Sequence, residues 1–212
     1  VESDFSNINI PVLTEFYKRN YCSDQCKILL SGNVTDEVLT LVNKNFGGND
    51  WKGDQSKSGE VNPIDTFTQR QELILKDDAL QSAIRIGKLM FNKTHADFHK
   101  LQVLNTALGG YFGSRLMSNI REDKGYTYGI GSANVSLERA GYFFISTEVG
   151  ADVTVSALEE IYKEMALLQQ EPVGEEELSM VRNYMLGSFL KGIDGPFALI
   201  DRCKSILLSG LD

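Results

Sequence analysis

An α+β fold is predicted, a two-layer αβ sandwich whose mixed, mostly antiparallel sheet carries helices packed on one face. Three observations on the 212-residue chain lead there. Strand-like segments arrive mainly as adjacent pairs, helix-like segments arrive in runs, and no repeat of roughly 20–50 residues points to a solenoid. The order reads αβα, ββ, αα, ββ, ααα. A hydrophobic content of 42% and a charged content of 24% are ordinary for a chain able to bury its own core. One domain over 1–212 is therefore expected, with an entry helix in 1–24, a core in 25–194 and the start of a further helical segment in 195–212.

Each element has its own reason. Pro11–Tyr21 reads as a helix with Phe16 and Tyr17 on its apolar side. The short apolar run Cys26–Gly32, ended by glycine, predicts a buried strand. Thr35 or Asp36 caps a helix through Phe46, with Val38, Leu39, Val42 and Phe46 at helical spacing. Gly47–Asn62, rich in Gly, Ser, Asp and Lys, is expected as a surface loop. Gln69–Lys76 and Gln81–Met90 read as strands joined by the turn Asp77-Asp78. A helix over His95–Leu108 carries Phe98, Leu101, Leu104 and Leu108 and is broken by Gly109-Gly110. Ser114–Lys124 forms the next helix, stopped by Gly125 at C′. Tyr126–Leu137 and Tyr142–Val149 read as a hairpin. Asp152 caps a helix striped by Val155, Leu158, Ile161, Met165 and Leu168. Glu175–Lys191 places three glutamates at the positive end of its dipole. Gly195-Pro196 opens a last helix, with proline in its first turn and Phe197, Ile200, Cys203 and Leu207 along it.

Charge narrows the function classes. Asp and Glu number 29 against 21 Lys and Arg, for a net charge of −8. Without a basic block, this argues against nucleic acid or an anionic membrane surface as partner. No apolar run nears the roughly 20 residues of a spanning helix, so membrane insertion is not expected. Three cysteines, Cys22, Cys26 and Cys203, cannot complete a disulfide framework, and no second pair or nearby histidine turns Cys22/Cys26 into a metal clip. Free thiols lean towards a reducing, cytoplasmic compartment. Val1 is not an initiator methionine and the last helix is apolar at a raw terminus. Both ends read as cut, and an upstream signal peptide stays open.

The only histidines, His95 and His99, stand four apart, roughly 40° round a helix. Zincins need H-E-x-x-H or H-x-x-E-H so that a glutamate reaches the metal-bound water. Asp97 is in the wrong slot with too short a side chain, so solvated histidines are expected and no metal site in this chain. Gly109-Gly-Tyr-Phe-Gly113-Ser114 lacks the G-K-[ST] ending of a phosphate loop and follows a helix, so it reads as a helix–helix connection whose backbone can approach another chain closely. No G-x-S-x-G elbow occurs, and Cys203 has no histidine near it.

The informative stretch runs from Leu108 to Tyr128. Arg121 lies on the last turns of a helix, Gly125 reverses the chain, and Tyr128 opens the next strand. A guanidinium and a phenol can converge there, both able to donate hydrogen bonds to a carbonyl oxygen. Composition alone also allows a surface arginine paired with Glu122 or Asp123 and a half-buried tyrosine. The residues leave both readings open.

Within this stretch Leu108-Gly-Gly, Ser114-Arg-Leu, Asn119-Ile-Arg-Glu and Lys124-Gly-Tyr-Thr-Tyr128 together resemble the signature of the pitrilysin/insulinase family of zinc metallopeptidases, which includes the mitochondrial processing peptidases. Phe16–Tyr21 with Leu30–Asn33 is similar to the family's entry helix and strand, Gln81–Gly87 to its Gln-x-x-Ile-x-Ile-Gly strand, and Glu175–Leu178 to its late acidic helix start. The likeness covers nearly the whole chain in order. It implies paired halves, each of two αβ subdomains, closing on an unfolded peptide. One half carries H-x-x-E-H and a distal glutamate, and an Arg and a Tyr seven residues apart contact the substrate near the zinc. Arg121 and Tyr128 have that spacing. The implied roles are substrate contact for Arg121 and Tyr128, and shaping of the neighbouring loop for Gly109, Gly110 and Gly113.

H-x-x-E-H is absent. Zinc is therefore expected outside this chain, in the same polypeptide or in a partner subunit, and the chain alone is expected to be inactive. Whether its parent half bears the zinc or faces it stays open, with the substrate-binding half preferred. The alternative is a non-catalytic scaffold of the same fold.

Overall fold

The computed structural model describes residues 5–48, 51–52 and 71–210. Two compact units divide the chain, Val1–Glu72 and Leu73–Asp212.

In the first unit, helix α1 (Ile10–Asn20) starts where Asn9 Oδ1 accepts from the Val12 amide at 3.1 Å, with Pro11 in the first turn. Helix α2 (Asp36–Phe46) is capped by Thr35, whose hydroxyl accepts from Val38 N at 3.4 Å. Both helices match the sequence expectation within a residue. Cys26–Gly32 does not: the segment joins no strand ladder, and Ile28 and Leu30 are exposed. An apolar run becomes a strand only when a ladder receives its N–H and C=O groups, and no partner strand faces it among the described residues. Of the expected Gly47–Asn62 loop, 49–50 and 53–62 lie outside the described residues.

The second unit contains the sheet. Strands β1 (Gln81–Met90), β2 (Ile130–Ser136) and β3 (Gly141–Gly150) are ordered β1-β3-β2, and both pairings are antiparallel. The register sets Ile84 and Ile130 on either side of Thr147, and Ile86 and Ser132 on either side of Ile145. That face supplies Ile84, Ile130, Ile145 and Val149 to the core, where they meet Leu108, Leu116, Met117 and Ile120 and, from the helix Thr154–Gln170, Ala157 and Ile161. Helices thus cover one face of an antiparallel sheet, as predicted.

Gln69–Lys76 is a second expected strand that the ladder does not accept. Residues 71–76 join no strand ladder, Leu73, Ile74 and Leu75 are each about four-fifths exposed, and 69–70 lie outside the described residues. Both edges of β3 are already taken, by β1 and β2.

Helix α3 (Phe98–Asn105) begins three residues later than its apolar period implied, after a turn at His95–Asp97. Helix α4 (Thr154–Gln170) follows a 3₁₀ turn, Ala151–Val153, and Asp152 does not cap it. The Thr154 hydroxyl instead anchors that end, 2.7 Å from Ser82 Oγ on β1 and 2.9 Å from Ala151 O. Helices α5 (Glu175–Lys191) and α6 (Gly195–Ser209) match their predicted starts, and α6 ends on Gly210 in the left-handed region at φ 66°. Among the described residues no helix is long and apolar enough to cross a membrane.

Asn119 ties the segment that will carry Arg121 to α4. Its amide nitrogen donates to Glu160 Oε2 at 2.9 Å and to Glu164 Oε1 at 2.7 Å. The Asn119 hydrogen bond, with help from Lys163, holds the Glu160 carboxyl below the usual carboxylate range. A depressed folded-state pKa stabilises the fold above the unfolded pKa, and that contribution disappears as pH falls through the folded value. Asn119→Ala is therefore expected to narrow its stability deficit relative to the parent in acid. Urea melts at neutral pH and below about pH 4 check this, and a deficit independent of pH would refute it.

Candidate functional site

Two stretches of the helical layer are wound as π-helix. Helix α3 runs into a π-turn at Thr106–Gly110, and the segment Met117–Asp123 is π-helical. Such turns open the hydrogen-bond ladder by one residue and recur at functional sites. The sequence predicted ordinary helix through Leu108 and over Ser114–Lys124, with a break at Gly109-Gly110. Instead both glycines lie inside the first π-turn, and a one-residue widening leaves no mark on an apolar period read over a short segment.

Between the two π-segments the loop 111–113 sends its aromatics in opposite directions. Tyr111 stacks on Tyr184 of α5, with ring centroids 4.9 Å apart, and burial, then the Glu177 charge, push its phenol pKa up. Phe112 is exposed, and the Arg121 guanidinium lies 4.7 Å from its ring centroid. That distance is within cation–π range and gives Arg121 a fixed support. Arg115 clamps the loop's far side, with Nε and Nη2 donating to the two carboxylate oxygens of Glu177 at 2.7 and 2.8 Å.

Leu116, Met117 and Ile120 turn into the core, which leaves Arg121 on the outer side of its segment. Glu122 Oε1 is 4.0 Å from Arg121 Nη1, beyond hydrogen-bond range. Gly125 then reverses the chain at φ 67°, a conformation glycine adopts without cost. Tyr126 packs against the core, whereas Tyr128 is 96% exposed. Tyr128 does not open β2 as expected; it stands two residues ahead of Ile130, in a loop pinned by Thr127. The Thr127 hydroxyl lies 2.6 Å from Glu148 O on β3, accepts from Gly129 N at 3.1 Å, and is 3.0 Å from Thr147 Oγ1.

Arg121 and Tyr128 line one cavity of about 600 Å³, with Gln81, Glu122 and Glu148. Glu148 is matched by Arg85 at 2.8 Å, so its charge is not free. The predicted pair therefore shares a wall. The three glycines do not line that cavity. Gly109 rests against Ser132 of β2, Gly110 faces Asn105, and Gly113 sits beneath the Tyr111 ring. Their place is in the loop's packing.

His95 and His99 do not converge on a common point with other ligands. The His95 ring stacks on Phe91 at 4.0 Å and its Nδ1 accepts from Asp97 N, while His99 meets Phe98 edge-on. Among the described residues no group of three His, Cys, Asp or Glu side chains could hold a metal ion, so zinc does not fit the residues described. Cys22, Cys26 and Cys203 are free.

Phe112 and Thr127 were not singled out by the sequence. Phe112 lies inside the glycine loop that was, and its aromaticity nine residues before an arginine is too common to be a signal.

The family model described as "Peptidase M16 inactive domain" matches residues 7–185. An uncharacterized zinc protease, YmxG of Bacillus subtilis, is 28% identical over 210 residues, 99% of this chain and 50% of its own length. A probable inactive metalloprotease of the same organism, YmfF, is 24% identical, over 92% of this chain and 45% of its own length. The chain thus spans about half the length of the curated relatives it matches. Among solved structures, a protease from Helicobacter pylori superposes with a TM-score of 0.82 at 19% identity, over 99% of this chain and 52% of that one. A peptidase M16 inactive domain from Pseudomonas fluorescens gives 0.74 at 20%, over 97% and 49%. These two establish the fold, and the family match over most of the chain bears out the resemblance read in Leu108–Tyr128: the chain belongs to the M16 metallopeptidases, as an inactive domain of that family.

Proposed function

We propose that this chain is the substrate-binding, non-catalytic domain of a zinc metalloendopeptidase, and that Arg121 and Tyr128 hold an unfolded peptide while catalytic groups elsewhere cut it. The shared cavity of Arg121 and Tyr128 carries this reading. A guanidinium supported from beneath by Phe112 presents a fork of N–H donors, and a phenol on a pinned loop presents one O–H. Both are suited to a peptide carbonyl oxygen, and both interactions strengthen as negative charge develops on that oxygen. The zinc and its general base belong to another part of the polypeptide or to a partner subunit. The loop glycines Gly109, Gly110 and Gly113 fix the path that brings Phe112 under Arg121.

A scaffold of the same fold is the competing reading. The exposure of Tyr128 weighs against it, because a side chain 96% in solvent stabilises nothing within this chain. Tyr128→Ala in the full-length protein is expected to leave stability within about 0.5 kcal/mol and to weaken binding of a fluorescein-labelled unfolded peptide roughly tenfold. Fluorescence anisotropy reads this directly. Unchanged affinity in a normally folded variant removes the substrate-binding reading and leaves the scaffold.

A further inference from the structure

We propose that a second cavity, lined by residues of the β1–α3 turn, the start of α3, the end of α5 and one side of α6, binds a small phosphorylated molecule through Lys93, Lys191 and Arg202. The cavity measures about 540 Å³, within the range of small-ligand sites. It is separate in chemistry and in residues from the Arg121–Tyr128 cavity and does not depend on the function proposed for it.

Its charge runs against that of the chain. The whole sequence carries a net charge of −8, yet this wall brings together three cations and one carboxylate. The carboxylate, Asp201, is already engaged by Lys204 at 2.5 Å. Among the described residues none of Lys93, Lys191 and Arg202 has an acidic partner, whereas Arg85, Lys100, Arg115, Lys124 and Lys163 all do. Lys191 has a partial reason of its own, since the last turn of α5 favours a cation. Lys93 and Arg202 have none. Lys93 Nζ reaches Ser205 Oγ at 3.4 Å, and the Arg202 guanidinium is set 5.1 Å from the Phe189 ring centroid.

The geometry favours phosphate over carboxylate. Cations arriving from the β1–α3 turn, α5 and α6 approach one space from three elements, which suits a tetrahedral dianion with several acceptor oxygens better than a planar monoanion. Phe98, Ala198 and Ile206 add an apolar wall, so a ligand with an organic body gains contacts that bare phosphate does not.

The test uses the full-length protein and isothermal titration with phenyl phosphate, inorganic phosphate and benzoate. Saturable binding of phenyl phosphate is expected, tighter than either of the other two. Lys93→Gln at a half-buried position and Arg202→Gln at an exposed one are each expected to weaken it roughly tenfold. Lys44→Gln on α2 and Tyr128→Ala leave it unchanged, which separates this site from the peptide-binding reading. Absence of saturable binding overturns the proposal, as does affinity that ignores both Lys93→Gln and Arg202→Gln. Capture by phosphatidate vesicles without binding of phenyl phosphate also overturns it, in favour of a membrane.

Discussion

Replacing Arg121 by alanine is expected to lower kcat/KM for peptide cleavage by about 10- to 1000-fold in the peptidase proposed for the full-length protein, the range for loss of a donor aimed at a developing oxyanion. The size follows from how the guanidinium is held. Its nearest carboxylate, on Glu122, stands at 4.0 Å, and no protein hydrogen bond claims its N–H groups among the described residues. The Phe112 ring, 4.7 Å from the guanidinium carbon, supports the group without using a donor, so the fork stays chemically uncommitted. Such an interaction is stronger with the transition state than with the bound peptide, so most of the loss belongs in kcat. Arg121→Lys keeps the charge but not the planar fork, and is expected to recover only part of the rate. Phe112→Ala removes the support alone. It should cost a few-fold, consistent with roughly 0.5–1 kcal/mol for an exposed cation–π contact, and add little once Arg121 is gone. Steady-state kinetics on the four variants, with melting temperatures as control, decide the matter. Cleavage at the parent rate by a folded Arg121→Ala protein would sink the role assigned to Arg121.

What the sequence revealed of this arrangement depended on whether a local cause was sufficient. Helices α2 and α5 start where caps and first-turn carboxylates place them, because those signals act within four residues. Strand β1 matches Gln81–Met90 end to end, since both its turn and its ladder partner are realised. Cys26–Gly32 and residues 71–76 are equally apolar, but a strand needs a distant edge to pair with, and no local pattern states whether one is free. The same reasoning explains Tyr128. Tyr126–Leu137 reads as one strand from sequence, yet the Thr127 hydroxyl takes Glu148 O and Gly129 N into a turn, and the ladder begins only at Ile130. Asp152 failed as a cap for a comparable reason, since Thr154 reaches Ser82 across the sheet. Of the site, the Arg121–Tyr128 spacing was legible through resemblance. The Phe112 support was not, because it exists only once two π-turns have set the loop against the Met117–Asp123 segment.

Gly109→Ala tests that loop from beneath. A Cβ at Gly109 would lie 2.6 Å from Ser132 Oγ, 2.8 Å from Ser132 N and 3.0 Å from Leu116 Cδ1. The hydroxyl can rotate away, but the amide belongs to β2 and Leu116 is fully buried, so neither yields cheaply. The π-turn must lift off the sheet instead, which strains the pairing of Asn105 Nδ2 with Ser132 O at 3.3 Å. Overpacking of this kind costs about 1–3 kcal/mol. For a domain of this size that is a fall in Tm of roughly 2–12 °C. Gly187 offers the opposite case within the same unit. It lies inside α5 with open space where a Cβ would sit, so Gly187→Ala should gain up to about 1 kcal/mol from helix propensity. Ser132→Gly in the Gly109→Ala background removes the hydroxyl contact but not the amide contact, and is expected to restore only part of the loss. Because Gly109 belongs to the π-turn from which the loop bearing Phe112 departs, Gly109→Ala should also weaken peptide binding, whereas Gly187→Ala should not. Thermal melts and peptide anisotropy on the three variants separate these effects. A Gly109→Ala protein with the parent Tm would show that the loop does not rest on β2 in solution, and the support of Arg121 by Phe112 would lose its foundation.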